Sequence, residues 1–91
     1  MQIKEIEKIS KALGDVNRLK ILMHMQGNHG RMECMELANI LNLAQPSISH
    51  HIKKLTEADL IESQKVGRFH NYILNKRLLR EYSKAIHAVN G

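Results

Sequence analysis

The sequence predicts one mainly α-helical domain of about five short helices with a small two-stranded β-hairpin. Apolar residues recur at three- and four-residue spacing through most of the chain, whereas they alternate only between residues 61 and 74. The five Gly residues and the single Pro punctuate these segments and separate no second domain. A chain of 91 residues buries only a modest core, so a second subunit would help to stabilise it.

Two helices are predicted before the first turn. Residues 2–13 are amphipathic, with an isoleucine stripe and a stop at Gly14. Asp15 is placed to cap the next helix, which ends at Gly27. The apolar stripe predicted for this second helix comprises Leu19, Leu22 and Met25, with Ile21 beside it.

A helix-turn-helix is predicted over residues 34–58. A short helix runs from about Cys34 to Leu41, and only residues 42–44 connect it to a helix over 45–58. Pro46 fits the first turn of that helix, where its missing N–H costs nothing. Ala44 is a poor N-cap, which leaves the first backbone amides for water or for an anion such as phosphate.

The helix over 45–58 has two different faces. Ile48, Ile52 and Leu55 form a stripe that seeks a core, and His51 lies toward that side, where we expect local packing or bonding. The exposed positions comprise Gln45, Ser47, Ser49, His50, Lys53 and Lys54. Such donors and acceptors suit base edges and phosphates in a DNA major groove, and an ordinary solvated helix face is the alternative.

A hairpin is predicted over residues 61–74, with Gly67 and Arg68 at its tip. A hairpin beside a helix-turn-helix is a wing. Its cationic and imidazole side chains, on Lys65, Arg68 and His70, would reach toward a phosphate backbone or a minor groove.

The charge distribution favours an anionic partner. The formal net charge is +5, and residues 45–80 contribute +4 of it through seven Lys and Arg residues against three Asp and Glu residues. The predicted helix that begins at Gln45 therefore lies in the basic half of the chain.

The last helix is predicted over residues 76–89. Together with the first helix, within residues 1–13, it exposes more apolar surface than one-sided docking would cover, so we expect both helices to form a homodimer interface. The predicted interface residues are Ile3, Ile6, Ile9, Leu78, Tyr82, Ala85 and Val89, with Leu79 and Ile86 alongside.

Composition argues against several other classes of protein. One cysteine, Cys34, excludes an intramolecular disulfide, and neither a membrane span nor a signal peptide is evident, so we expect a cytoplasmic protein. The chain has no Gly-rich phosphate loop and little room for a catalytic pocket, which argues against an enzyme. The adjacent His50 and His51 point about 100° apart on a helix, which disfavours a shared ion.

The sequence resembles bacterial winged-helix repressors of the ArsR/SmtB type over most of its length. The segment Gln45–His51 carries the most specific resemblance. The other matching segments are residues 12–22, 36–38, 44–55 and 58–61, and Gly67-Arg68 before Tyr72.

The resemblance implies a homodimer that binds double-stranded DNA at an operator of dyad symmetry. Its recognition helices would enter successive major grooves about 34 Å apart. It assigns base or nearby phosphate contacts to Gln45, Ser47, Ser49 and His50. Contacts with the DNA backbone would come from Lys53, Lys65 and Arg68.

The ligand positions of the metal sensors in this family are not filled by matching residues. Thiolate sensors carry a Cys-x-Cys pair where this chain has Cys34 alone. Zinc sensors carry Asp-x-His early in the last helix, where this chain has Lys76 and Leu78, and of the two later ligands only His87 is available. We therefore predict no cofactor and no metal, and the inducer stays unidentified.

Three alternatives remain open at this stage. One is a copper(I) site, for which the soft donors would be Met23, His24, Met25, His29, Met32, Cys34 and Met35. A second is redox sensing by Cys34 through its thiolate. The third is a winged-helix adaptor that binds proteins and not DNA.

Overall fold

The computed structural model describes residues 1–90, which form a helical domain with a small antiparallel sheet. In chain order the elements are α1 (Ile3–Leu13), α2 (Val16–Gln26), β1 (Arg31–Glu33), one 3₁₀ turn (Cys34–Glu36), α3 (Leu37–Ile40), α4 (Gln45–Glu57), β2 (Ile61–Val66), β3 (Phe69–Leu74) and α5 (Lys76–Asn90). The predicted winged helix-turn-helix is therefore confirmed.

The sheet has three strands where the sequence predicted two. Its order is β1-β3-β2, and both neighbours of β3 are antiparallel to it. Tyr72 lies opposite Met32 on one side and Ser63 on the other. The sequence did not indicate β1 because three residues are too few to show an alternating pattern. Its backbone partners come from β3, far along the chain.

The turn before β1 explains where that strand begins. His29 has φ 59° and Gly30 has φ 76°, so two successive residues are in the left-handed region and reverse the chain after α2. A Cβ on Gly30 would lie 2.9 Å from Cε of Lys76. Gly30 is therefore required for its backbone conformation, whereas the flexible end of the Lys76 side chain could move aside.

The core lies between the sheet and helices α2, α3 and α4. Ile21, Met25 and Leu55 are fully buried there. The stripe predicted for α2 is wrong at Leu19, which is 40% exposed, because α2 is rotated so that Ile21 faces the core.

Helices α1 and α5 lie against each other at one side of the domain. The hydroxyl groups of Ser10 and Tyr82 are 2.7 Å apart and join them. α5 contains no fully buried residue, whereas α1 buries Ile9 and Ala12. None of the described helices is long and apolar enough to span a membrane.

Candidate nucleic-acid interface

The apolar stripe of α4 sets the orientation of this helix, and Pro46 in the first turn sets where it begins. Ile48, His51 and Leu55 are buried, which turns the opposite side of the helix to the surface. Pro46 lies in the first turn, and Ala44 provides no side-chain cap. The carbonyl of Ala44 accepts hydrogen bonds from the backbone N–H groups of Ser47 and Ile48, at 3.0 and 3.2 Å.

The polar side chains predicted to bind DNA on α4 are all exposed. They are Gln45, Ser47, Ser49, His50, Lys53 and Lys54. Nε2 of Gln45 lies 3.5 Å from Oγ of Ser49, a long contact that leaves both groups available to a ligand. Nζ of Lys53 lies 4.0 Å from a carboxylate oxygen of Glu57, which is a long distance for an ion pair. Since the lysine side chain is also 73% exposed, this ion pair holds Lys53 weakly.

The wing extends from the domain as the hairpin β2–β3. Gly67 at its tip has φ 60°, and a Cβ there would meet no atom within 4 Å. Glycine is thus required at the tip for the backbone conformation and not for space. Arg68 lies at the tip and Lys65 lies close to it on β2, and both are exposed.

His70 is held on the wing more firmly than the two cations. Its Nε2 lies within hydrogen-bond distance of Oγ of Ser63, on the neighbouring strand. Its ring stacks on Tyr72 with a centroid distance of 5.6 Å. His70 is therefore exposed on the wing, and these two contacts fix its ring plane.

Two exposed apolar residues at the wing tip were not among the predicted site residues. Val66 and Phe69 pair across the hairpin and are 59% and 67% exposed. Strand alternation alone could not identify them, because it indicates two faces but not where along the hairpin the core ends. They border the tip on which Arg68 lies.

A recess of about 220 Å³ separates α4 from the wing. Gln45, Ser49 and Lys53 line one side of it, and Cys34 and Tyr72 line the other. Burial raises the pKa of Tyr72, and the neighbouring Cys34 raises it further, so the phenol keeps its proton at neutral pH. The phenol that lines the recess is therefore uncharged, whereas α4 and the wing on either side carry exposed cationic side chains.

The soft donors considered for copper(I) do not form one cluster. Met25 and Met32 are buried in the core, whereas Met23 and Met35 are 69% and 81% exposed. Nε2 of His24 instead lies 3.3 Å from a carboxylate oxygen of Glu36. Across residues 1–90 no group of three His, Cys, Asp or Glu side chains could hold a metal ion.

The start of α2, which packs against α4, is capped by the side chain of Asp15. The carboxylate of Asp15 accepts hydrogen bonds from the backbone N–H groups of Asn17 and Arg18, at 2.8 and 3.3 Å. Desolvation opposes ionisation of this carboxyl, but those two N–H groups and the neighbouring guanidinium of Arg18 outweigh it and lower the pKa of Asp15. Asp15 is thus the predicted helix cap.

The predicted dimer residues differ in how far their own protomer covers them. Ile3 and Val89 are 81% and 84% exposed. Ile6, Leu78, Tyr82 and Ala85 are half-buried. Ile9 is only 2% exposed, so it packs in the core of its own protomer and has little surface left for another chain.

Comparison with known proteins agrees with this geometry. Residues 15–63 match the family model described as "Bacterial regulatory protein, arsR family". The chain is 32% identical over 90 residues to the arsenical resistance operon repressor of Staphylococcus aureus, covering 99% of this chain and 85% of that protein. It is 36% identical over 76 residues to the transcriptional repressor SdpR of Bacillus subtilis, covering 84% and 82%.

A solved structure has the same fold over almost the whole chain. It is that of an ArsR-like transcriptional regulator from Rhodococcus sp. RHA1. The TM-score is 0.83 at 25% sequence identity, and the match covers 97% of this chain and 81% of that chain.

Proposed function

Since this chain belongs to the ArsR family of bacterial regulatory proteins and is a DNA-binding transcriptional regulator, not an enzyme, we propose that it represses transcription as a homodimer bound to an inverted-repeat operator. The observation that carries this proposal is the division of α4: its apolar side is buried, and its polar side is exposed beside a basic wing.

In this proposal α4 is the recognition helix and enters the major groove with its N-terminal half. Gln45 offers an amide that can pair with adenine, and Ser47, Ser49 and His50 can donate to or accept from base edges. Ala44 leaves the amide end of the helix free of a side-chain cap. That end suits a phosphate beside the groove.

Contacts with the DNA backbone come from the basic side chains around α4 and from the wing. Lys53 and Lys54 follow the base-reading residues along α4, and Lys65, Arg68 and His70 lie along the wing. All five are exposed. Phosphate contacts of this kind fix the register of a protein on DNA and supply most of its sequence-independent affinity.

The proposed homodimer forms through α1 and α5. A single chain leaves Ile3 and Val89 almost fully exposed, and Ile86 is 41% exposed on the same helix as Val89. A second copy would remove these side chains from water, and its own α4 would then read the second half-site. As a partner of chromosomal DNA, the protein would act in the cytoplasm.

The test is selection of DNA fragments by the purified, full-length protein from a genomic library, at about 0.1 M and about 0.3 M salt. We expect recovery of one inverted-repeat sequence whose binding weakens at the higher salt concentration. Failure to enrich any sequence at either concentration would contradict the proposal and favour an adaptor that binds proteins.

A further inference from the structure

His51 differs from every other polar side chain of α4 because the core side of the helix encloses it. It is 8% exposed, and apart from the phenol of Tyr72 it is the one polar or charged side chain that is buried among residues 1–90. The adjacent His50 is exposed on the proposed DNA-facing side, with its ring centroid 5.8 Å away. A buried imidazole needs a hydrogen-bond partner, and the identity of that partner depends on its protonation state.

The partner of His51 is Arg18, which also holds the end of α1. Nη1 of Arg18 lies 3.2 Å from Nδ1 of His51. Its Nε donates to the carbonyl of Ala12 at 2.6 Å, and its Nη2 donates to the carbonyl of Lys11 at 3.2 Å. One guanidinium therefore connects the C-terminal end of α1 to the middle of α4.

This arrangement fixes the state of the imidazole. A guanidinium carries only donors, so Nδ1 of His51 must accept and cannot carry a proton. With Arg18 as the donor, the only ring proton of His51 is the one on Nε2. A protonated ring would lose this acceptor and would place a second positive charge 3.2 Å from Arg18.

A carboxylate, opposite in charge to Arg18, lies near the same nitrogen. Oδ1 of Asp15 is 3.8 Å from Nδ1 of His51. When Nδ1 carries a proton, it can no longer accept from Arg18 but can donate to Asp15, at the cost of a small ring movement. Arg18 and Asp15 therefore compete for Nδ1 of His51. Arg18 binds this nitrogen when it carries no proton, and Asp15 binds it when it does.

We propose that Arg18 and His51 are positioning residues for DNA binding: neutral His51 holds α4 against the end of α1, and its protonation transfers Nδ1 from Arg18 to Asp15 and weakens operator binding. This inference rests on the proposed function, since it concerns the placement of the recognition helix. Arg18 also couples that helix to α1, on which the proposed dimer interface lies.

Other charged groups lie near this link without bonding to His51. The recess beside Arg18 is also lined by Lys8, Lys11, Lys54 and Glu57. α3 has no ionisable side chain. Within residues 1–90, hydrogen bonds and ion pairs join His51 to no charged group other than Arg18 and Asp15, so Glu62 and Lys65 of β2 and Glu36 beside α3 make none.

The sign of the effect separates His51 from the exposed histidines. Protonation of His50 or His70 adds positive charge on the proposed DNA-facing side and should strengthen binding to phosphates. Protonation of His51 should weaken binding because it breaks the link through Arg18 that holds α4 against the end of α1. A substitution at His51 alone therefore isolates the contribution of the link.

The first experiment needs no DNA. The ¹⁵N chemical shifts of the histidine ring nitrogens, measured in the full-length protein from about pH 5.5 to pH 8, report the tautomer of each ring. We expect His51 to be neutral at pH 8 with the proton on Nε2. A proton on Nδ1 at pH 8 would overturn the proposal.

The second experiment compares affinities for the inverted repeat recovered from the genomic library, at pH 8 and pH 6. His51→Asn keeps an acceptor close to the position of Nδ1 but does not titrate. Relative to this variant, wild-type affinity should fall roughly tenfold on acidification, the factor expected for one hydrogen bond to a charged group. The matched control is His29→Asn, since Asn tolerates the left-handed backbone of that exposed turn.

The outcomes distinguish this inference from the proposed function. His29→Asn should keep the wild-type pH profile. If wild type and His51→Asn respond equally to pH, the positioning role is wrong although the operator is real. If wild type binds no DNA at pH 8, the proposed function fails, and the ring-nitrogen measurement still decides whether Arg18 holds neutral His51.

Discussion

This protein has two surfaces whose exposed side chains are suited to binding a partner, and the two surfaces differ in chemistry. The DNA-facing surface, as proposed above, consists of the polar side of α4 and of the wing, between Gln45 and His70. The terminal-helix surface consists of Ile3 on α1 and of Ile86 and Val89 on α5, all exposed and apolar. An exposed apolar stripe indicates a protein partner, whereas a polar side on a firmly buried helix, beside basic side chains, indicates DNA.

The largest expected effect separates the two surfaces by charge. Lys53→Glu combined with Arg68→Glu should weaken operator binding roughly 100-fold or more, because attraction to phosphates becomes repulsion in both protomers. The slope of log affinity against log salt should fall by about 0.9 for each phosphate that the variant no longer neutralises. Fluorescence anisotropy with a labelled operator at several salt concentrations measures both quantities.

Lys4→Glu combined with Lys20→Glu is the matched control, since both lysines are exposed and the change in net charge is the same. Its decrease in affinity should be much smaller. Equal decreases for the two double variants would mean that net charge, not the DNA-facing surface, determines binding.

The next effect concerns the terminal-helix surface. If the proposed homodimer forms through these helices, Ile3→Glu combined with Val89→Glu should shift the protein from dimer to monomer at micromolar concentration, because charges would replace apolar side chains that the partner subunit covers. Each protomer should remain folded, since those side chains are 81% and 84% exposed. Sedimentation velocity and circular dichroism measure the two properties. Val66→Glu, on the exposed wing, should leave the dimer intact, and an unchanged dimer in the double variant would refute this interface.

A smaller effect tests base reading within the DNA-facing surface. Gln45→Ala should cost about 1–3 kcal/mol of discrimination at one base pair in each half-site, while affinity for random DNA stays the same. Competition binding with single-substitution operators measures the discrimination. Thr56→Ala is the control, since Thr56 lies exposed near the other end of α4 and bonds the carbonyl of Ile52. An equal decrease in affinity for operator and random DNA would remove Gln45 from the base-reading residues.

The smallest expected effect concerns the stability contributed by Asp15, which caps α2 beside α4. Because the folded state lowers the pKa of Asp15, its ionised form stabilises the protein above the unfolded value of about 3.8, and this contribution is lost as the pH falls through the folded pKa. Asp15→Asn keeps a good N-cap but should be less stable at pH 7 and less sensitive to acid. Urea unfolding at pH 7 and pH 3 measures this difference.

Asp59→Asn is the control for that measurement, because Asn also tolerates its φ of 61°. It should lose less stability than Asp15→Asn at neutral pH. If Asp15→Asn is destabilised equally at pH 7 and pH 3, the charge of Asp15 has no role.

Sequence reasoning succeeded where the signal is local. The apolar stripe and Pro46 fixed the position of α4, and Gly67 located the tip of the wing, because helix starts and hairpin turns depend on a few neighbouring residues. The exposed polar side of α4 followed from the same stripe. These elements include most of the residues proposed to bind DNA.

The remaining features depend on contacts between distant parts of the chain. β1 exists because β3 pairs with it. The burial of Ile9 and the exposure of Leu19 depend on how each helix is rotated against its neighbours, which periodicity leaves uncertain by about one residue position. Arg18 and His51 are 33 residues apart, so the sequence indicated that His51 faces inward but not its partner.

The most direct measurement is the mass of the protein–DNA complex by sedimentation equilibrium on two duplexes. One carries the recovered inverted repeat, and the other carries it with one half-site scrambled. We predict two chains per intact duplex, with much weaker binding when one half-site is scrambled. One chain per intact duplex, or equal affinity for the two duplexes, would contradict a dimer that reads DNA with one surface and pairs through the other.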